Sequence, residues 1–431
     1  MNNTIPTGWR SIAIGSLTTK IGSGITPRGG SKSYVTSGVK FIRSQNVHFY
    51  GFSLNNVAYI SPKTHLSMAG SMVAENDVLL NITGASIGRC TYVPPGFGEA
   101  NINQHVCILR PNDKIESRYL SYWLSSSFGQ DAINIYQAGG NREGLNFQQI
   151  RSICIDVPPL PEQQEVATIL SSVYNLIETT RTQINKLKDL KAGIMQELLT
   201  KGIGSMGVPH TEFKDSPVGR IPASWEIKKL EEVIDEIVDC EHKTVPYVGQ
   251  SKYLVVRTTN VRNGELIYDE IKYTTKEGYE AWTKRATPSF GDVFFTREAP
   301  AGESCMVPRD LQICMGQRMV LLRPDSRVVL PEYFSLFLAS EPAKLAIYEL
   351  SIGTTVSRIN IEDIKKIPCI TPPLSEQESI FNAVESVQNS ISSKQRKLDS
   401  LISVKKALMQ DLLTGKVRVK IDEKEKESAV A

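Results

Sequence analysis

Residues 158–202 read PPLPEQQEVATILSSVYNLIETTRTQINKLKDLKAGIMQELLTKG, and residues 372–416 read PPLSEQESIFNAVESVQNSISSKQRKLDSLISVKKALMQDLLTGK. The two stretches align without a gap at an offset of 214 residues. Alternating steps of four and three pick out Val166, Leu170, Val173, Ile177, Thr180, Ile184, Leu187, Lys191, Ile194 and Leu198 in the first copy. The same steps give Ile380, Val384, Val387, Ile391, Lys394, Leu398, Leu401, Lys405, Leu408 and Leu412 in the second. Eight of the ten positions are apolar in each copy, and the polar exceptions fall at matching steps. An apolar residue about every 3.5 positions predicts a seam between helices that coil around each other.

The ends are marked too. Pro-Pro precedes each copy, and Pro161 suits the first helical turn. Glu162, Glu165, Glu376 and Glu378 lie in the first turns, where the helix dipole favours negative charge. Gly202 and Gly415 follow as stop signals. Each helix should then run for about 40 residues, or roughly 60 Å.

The repeat extends beyond the helices. Ile5–Trp9 is echoed by Ile221–Trp225, Arg43 and Asn46 by Arg257 and Asn260, and Asp77-Val78 by Asp292-Val293. Cys90 matches Cys305, Gln104 matches Gln317, Arg110-Pro111 matches Arg323-Pro324, and Tyr119 matches Tyr333. The expected organisation is therefore a first domain (1–157), a helical spacer (158–202), a linker (203–220), a second domain (221–371), a second spacer (372–416) and a charged, disordered tail (417–431). Within each domain, short β-rich runs come first and helices follow. Strands are expected at Val39–Ser44, Val57–Ile60, Val78–Ile82 and Val106–Leu109, with counterparts at Tyr253–Arg257, Val293–Thr296 and Met319–Leu322. The fold class is α+β: two similar α/β domains joined by two long antiparallel coiled-coil helices, with an internal pseudo-two-fold repeat. The simplest packing of the seams gives a dumbbell with a helical spacer.

Composition bounds the function. The chain has 431 residues, 41% apolar and 22% charged, which suits a soluble multidomain protein. No apolar run can span a bilayer, and the first residues lack a signal-peptide core, so no membrane is expected as a partner. Seven scattered cysteines without a C-x-x-C pair argue against structural zinc or disulfides and fit a cytoplasmic location. Net charge is only +3, but the first 74 residues contain no Asp or Glu. A basic face for a polyanion is expected in the first half.

No catalytic constellation stands out. Residues 24–33 (GITPRGGSKS) lack the Gly-Lys-Ser/Thr step of a phosphate loop. The Pro-Pro pairs are not preceded by Asn or Asp, as an adenine-methylating loop requires, and Glu270-Ile271-Lys272 is a lone nuclease-like E-x-K. What remains is binding: two similar but non-identical domains on a spacer suit a polymer read at two places. Residue types that read base edges make Arg43, Gln45, Asn46, Arg89, Gln104, Asn141 and Arg142 the DNA-binding candidates in the first domain. Arg257, Asn260, Arg262, Arg297, Gln317, Arg318 and Arg358 are the candidates in the second. The competing reading for any one of them is a solvated surface residue or a structural turn. Arg43/Asn46 and Arg257/Asn260 rank first because they recur at matched positions.

The Ile-Pro-x-x-Trp openings, the Pro-Pro-Leu-x-Glu-Gln helix starts and the Leu-Leu-Thr helix ends, all in duplicate, resemble the DNA-specificity subunits of type I restriction-modification systems. The resemblance covers essentially the whole chain. It implies two target-recognition domains and two helical regions acting as a ruler on double-stranded DNA. It also implies two methylation subunits that carry S-adenosylmethionine, and restriction subunits, motor-nucleases that use ATP and Mg. The chain itself would bind no cofactor and catalyse nothing. Two rivals stand beside this reading: a coiled-coil scaffold that binds only protein, and a DNA methyltransferase or nuclease acting alone.

Overall fold

The computed structural model describes residues 5–49, 51–137, 144–204, 208–352 and 357–420. The chain divides into two compact units, one formed by residues up to 182 together with those from 395 onward, the other by residues 183–394. The boundary falls inside the two long helices, Leu160–Lys201 and Leu374–Leu412.

Both units build the same three sheets. In the first, strands run in the order Thr18–Ser23, Val106–Pro111, Val78–Asn81, Cys90–Tyr92, all antiparallel. A second sheet places Val39–Ile42 between Ala58–Ile60 and Ala100–Ile102, the latter pair parallel. Arg10–Ala13 pairs with Cys154–Val157 as a third. The second unit repeats this with Ile234–Asp239, Met319–Pro324, Val293–Thr296 and Ser304–Met306; then Lys272–Thr274, Tyr253–Val256 and Gln312–Met315; then Glu226–Lys229 with Pro368–Thr371. The central strands Val78–Asn81 and Val293–Thr296 are buried along their whole length, which is why they read as continuous apolar runs rather than alternating ones. Thr18–Ser23 (TTKIGS) and Ile234–Asp239 (IDEIVD) are edge strands with mixed exposure, and neither keeps the strict apolar–polar alternation that signals a strand.

The duplicated residues are mostly the fasteners of this frame. Arg110 makes a bidentate pair with buried Asp77 (2.7 and 2.9 Å), and Arg323 does the same with Asp292 (2.9 and 2.9 Å). Each carboxylate also accepts the N–H of a residue three positions earlier, Ala74 or Ser289. The hydroxyls of Tyr119 and Tyr333 donate to the carbonyls of Asp156 and Ile370. The Glu-Gln of each helix start works similarly. Gln163 accepts the N–H of Glu116 and donates to the carbonyls of Lys114 and Pro158. Gln377 accepts the N–H of Leu330 and donates to those of Val328 and Pro372.

The helices pair antiparallel in each unit. In the first, Glu162 binds Arg418 and the Tyr174 hydroxyl donates to Met409 Sδ at 3.8 Å. In the second, Lys394 donates to Gln183, Lys191 to Gln388, and the N–H groups of Ile203 and Gly204 to Glu376. All twenty seam positions are buried or half-buried. Of the leftover apolar residues beside them, Leu199 is core and Ile169 packs against core, whereas Leu190 is exposed. Gly202 and Gly415 both take positive φ at the helix ends (+72° and +66°), and both lie against a tryptophan, Trp225 and Trp9.

One expectation is corrected. The tail is not loose from residue 417: Arg418 grips Glu162 and the carbonyl of Thr7, and Val419 packs on the core, because a buried carboxylate at the helix start needs a cation. Residues 421–431 lie outside the described part.

Candidate nucleic-acid interface

In the first unit the loop after Val78–Asn81 meets the turn after Val39–Ile42. Asn81 ties them by donating to the Ser44 carbonyl (2.8 Å) and to Ser86 Oγ (3.2 Å). Between them lies a hollow of about 510 Å³ lined by Ser44, Gln45, Thr83, Ser86, Arg89 and His105. Gln45 and Gln104 are exposed, and Arg89 is half-buried. Gln104 reaches His105 Nε2 at 3.1 Å and also bonds Thr26, while Thr83 bonds His105 Nδ1. Gln45, Arg89 and Gln104 are thus brought to one place. The rim offers amide, guanidinium, hydroxyl and imidazole groups, which can donate to or accept from base edges. Asn141 and Arg142 lie outside the described residues.

The matching place in the second unit carries different chemistry. Glu298, the counterpart of Thr83, sits 3.3 Å from Arg318 Nε and 3.2 Å from Arg358 Nε. Arg318, the counterpart of His105, and Arg358 are both exposed. Neighbouring Gln317 donates to the His242 carbonyl (3.3 Å), and His242 Nε2 lies 3.3 Å from Asp239. Arg262 is exposed on a hairpin formed by Val261–Arg262 and Glu265–Leu266.

Five candidates turn out to be committed to the frame. Asn46 is buried, accepts the N–H of Arg43 (3.0 Å) and donates to the Ser53 carbonyl (2.9 Å). Asn260 repeats this with Arg257 (3.2 Å) and Ile267 (3.0 Å). Arg43 donates to the carbonyl of Asn56, and Arg257 to that of Glu270, each at 2.9 Å and each thirteen residues ahead. Arg297 is 8% exposed, makes a two-oxygen pair with Asp239 (2.8 and 2.9 Å) and approaches the Ile359 carbonyl. Asn46 and Asn260 are buried with their amides spent on backbone groups, which leaves them out of reach of a base. Arg43 and Arg257 each spend one of five N–H donors on holding their own loop. Of the recurring pairs that ranked first, the two asparagines therefore belong to the frame rather than to a base-reading surface. Glu270, of the E-x-K, takes a positive φ (+52°) in the loop that Arg257 holds.

Sequence reasoning missed Ser44, Thr83, Ser86 and His105 in the first unit, and Asp239 and Glu298 in the second. A signal was present: inside an otherwise matched frame, Thr83 faces Glu298 and His105 faces Arg318 in the alignment. Divergence at matched loop positions, rather than recurrence, marks the part that differs in task.

A family model described as "Type I restriction modification DNA specificity domain" matches residues 30–189 and again 222–402. The chain is 27% identical over 354 residues to the Methanocaldococcus jannaschii type I restriction enzyme MjaVIII specificity subunit, covering 81% of each. It is 23% identical over 396 residues to the Escherichia coli EcoKI specificity subunit, covering 88% of this chain and 82% of that one. The crystal structure of a type I restriction-modification S subunit from M. genitalium shares the fold, with a TM-score of 0.60 over 98% of both chains at 12% identity.

Proposed function

The chain belongs to the type I restriction-modification DNA specificity family, and from that premise we propose how its two units divide the work. It is the DNA sequence-specificity subunit of such a complex, and each recognition domain reads one half of a split, asymmetric site. The observation that carries this reading is the pairing of one repeated frame with two different rims. Thr83, His105, Gln45, Arg89 and Gln104 offer mostly uncharged side chains, whereas Glu298, Arg318 and Arg358, beside the Gln317 amide, offer charged ones. Equal frames with unequal rims suit two half-sites of different sequence. Phosphate contacts would supply most of the affinity.

The paired helices act as the spacer that sets half-site separation and as the docking ground for two methylation subunits. Methyl transfer from S-adenosylmethionine would belong to those subunits, and ATP- and Mg-dependent translocation and cleavage to restriction subunits. This chain would then contribute recognition without catalysis. The test is single-molecule methylome sequencing of DNA exposed to this chain with its methylation subunit. A modified adenine in each arm of a split, asymmetric motif is the expected result. A continuous palindrome would mean that only one unit reads DNA. No methylation, with a partner shown to be active with another specificity subunit, would return the protein-only scaffold reading.

A further inference from the structure

The two units differ at one internal place where the frame predicts likeness. In the first unit the groove between the helix pair and Ser117–Ser125 is closed by two stacked tyrosines. Tyr122 and Tyr174 lie with ring centroids 5.0 Å apart and planes 11° from parallel, and both are buried. The Tyr122 hydroxyl bonds Ser171 Oγ at 2.8 Å. Met409 meets Tyr174 from the other helix, and the Lys405 ammonium sits 4.3 Å over its ring.

The second unit keeps the surroundings and lacks both tyrosines. The lysine and methionine recur at the matched positions as Lys191 and Met195, but Tyr122 is replaced by Leu336 and Tyr174 by Gln388. Phe381, where the first unit has Ala167, restores one ring two helical turns away. The groove remains open as a cleft of about 890 Å³, walled by Lys191, Met195, Leu336, Phe381, Val384 and Gln388. That volume is in the range of small-molecule sites, which are mostly apolar with a few placed polar groups. Two such groups are present. Lys191 holds the Gln388 amide oxygen at 2.8 Å, and Gln388 in turn donates to Glu265 at 2.9 Å. Glu385 stands where Ser171 meets the Tyr122 hydroxyl in the first unit, and it too lines the cleft. Burial lowers the pKa of Lys191, with Glu265 opposing, so an aromatic face beside that ammonium would relieve part of its desolvation.

We propose that this cleft is a binding site for a small phenolic aromatic molecule, seated where the tyrosine pair lies in the first unit. Its ring would lie against Met195, Leu336 and Phe381, with the Lys191 ammonium at its face and the Glu385 carboxylate accepting its hydroxyl. The first unit, already filled by its own side chains, takes no such ligand.

The test uses the full chain labelled with carbon-13 at its methionine methyl groups and 2-naphthol as the probe. The expected result is a saturable shift of the Met195 and Met306 signals, both of which line the cleft, with Met409 unmoved. The double variant Leu336→Tyr/Gln388→Tyr, which copies the first unit's own filling, should abolish the shift. The reciprocal Tyr122→Leu/Tyr174→Gln should create one at Met409, which keeps the test decisive if the first variant does not fold. 2-Methoxynaphthalene, lacking the donor, should bind more weakly. No saturable shift at Met195 and Met306, or a shift that survives the filled variant, would overturn the proposal. Perturbation of Met195 only when a partner protein is added would assign the cleft to a protein interface and overturn the ligand site.

Discussion

A single carboxylate shows how much one side chain can hold in this chain. Glu376 accepts the N–H groups of Ile203 and Gly204, His210 lies 2.9 Å from it, and Trp225 Nε1 donates to its second oxygen at 2.9 Å. Burial pushes this carboxyl up, but the bonds from Gly204, His210 and Trp225 outweigh burial and leave it below its ordinary value. Its contribution is therefore present above the unfolded value near 4.5 and is lost as pH falls through the lower folded one. Glu376→Ala should cost roughly 2–4 kcal/mol, since several buried donors lose their acceptor. Urea melts at pH 7 and pH 4 check this: the gap between the two curves should shrink in the variant. The arginines separate by task at the same scale. Arg257→Ala should cost about 1–2 kcal/mol of stability through the lost bond to the Glu270 carbonyl, with half-site preference unchanged. Arg318→Ala should leave stability alone and weaken discrimination in one half-site by about 1–3 kcal/mol. Binding to DNA substituted in one arm or the other, beside denaturant melts, tells the two apart. Equal loss in both arms for Arg318→Ala would place it in assembly.

The long helices were legible residue by residue because a coiled seam is a local pattern. Every position named from the spacing of four and three turns inward, including polar Thr180, whose hydroxyl is satisfied by the Leu176 carbonyl within its own helix. The polar seam positions carry the cost of that burial. Burial pushes the Lys405 ammonium down to about 8, with Arg181 adding to the shift and Glu178 opposing it. A lysine whose folded pKa is depressed binds fewer protons folded than unfolded, so stability should rise as pH climbs from about 8 toward the ordinary 10.5. Lys405→Met should flatten that rise, as read by thermal melts across the alkaline range. The edge strands Thr18–Ser23 and Ile234–Asp239 were not legible, because one row of their backbone groups and much of their side-chain surface lies outside the core and needs no apolar alternation.

For the whole molecule, the spacer reading makes one mechanical prediction. Removing one heptad from each long helix at matched positions shortens each by roughly 10 Å, and should change the number of bases between half-sites while both half-site sequences persist. Methylome sequencing of the shortened protein with its partner subunit checks it; an unchanged spacing would sink the spacer role.

The sequence by itself determined the duplication, the two long helices with their stops, and the class of task. Those rest on patterns carried by neighbours in the chain: a seam in fixed steps, glycines at helix ends, and a second copy in the same order. Only the tertiary structure decided which candidates face outward. Recurrence raised Arg43, Asn46, Arg257 and Asn260, yet recurrence is what a shared frame imposes, and their donors hold carbonyls seven to thirteen residues further along. The hollow of Gln45, Arg89 and His105, the Glu298–Arg318–Arg358 cluster, and the cleft left by two missing tyrosines each gather residues that lie far apart along the chain. Such groupings depend on how strands and helices pack, and no local spacing encodes them.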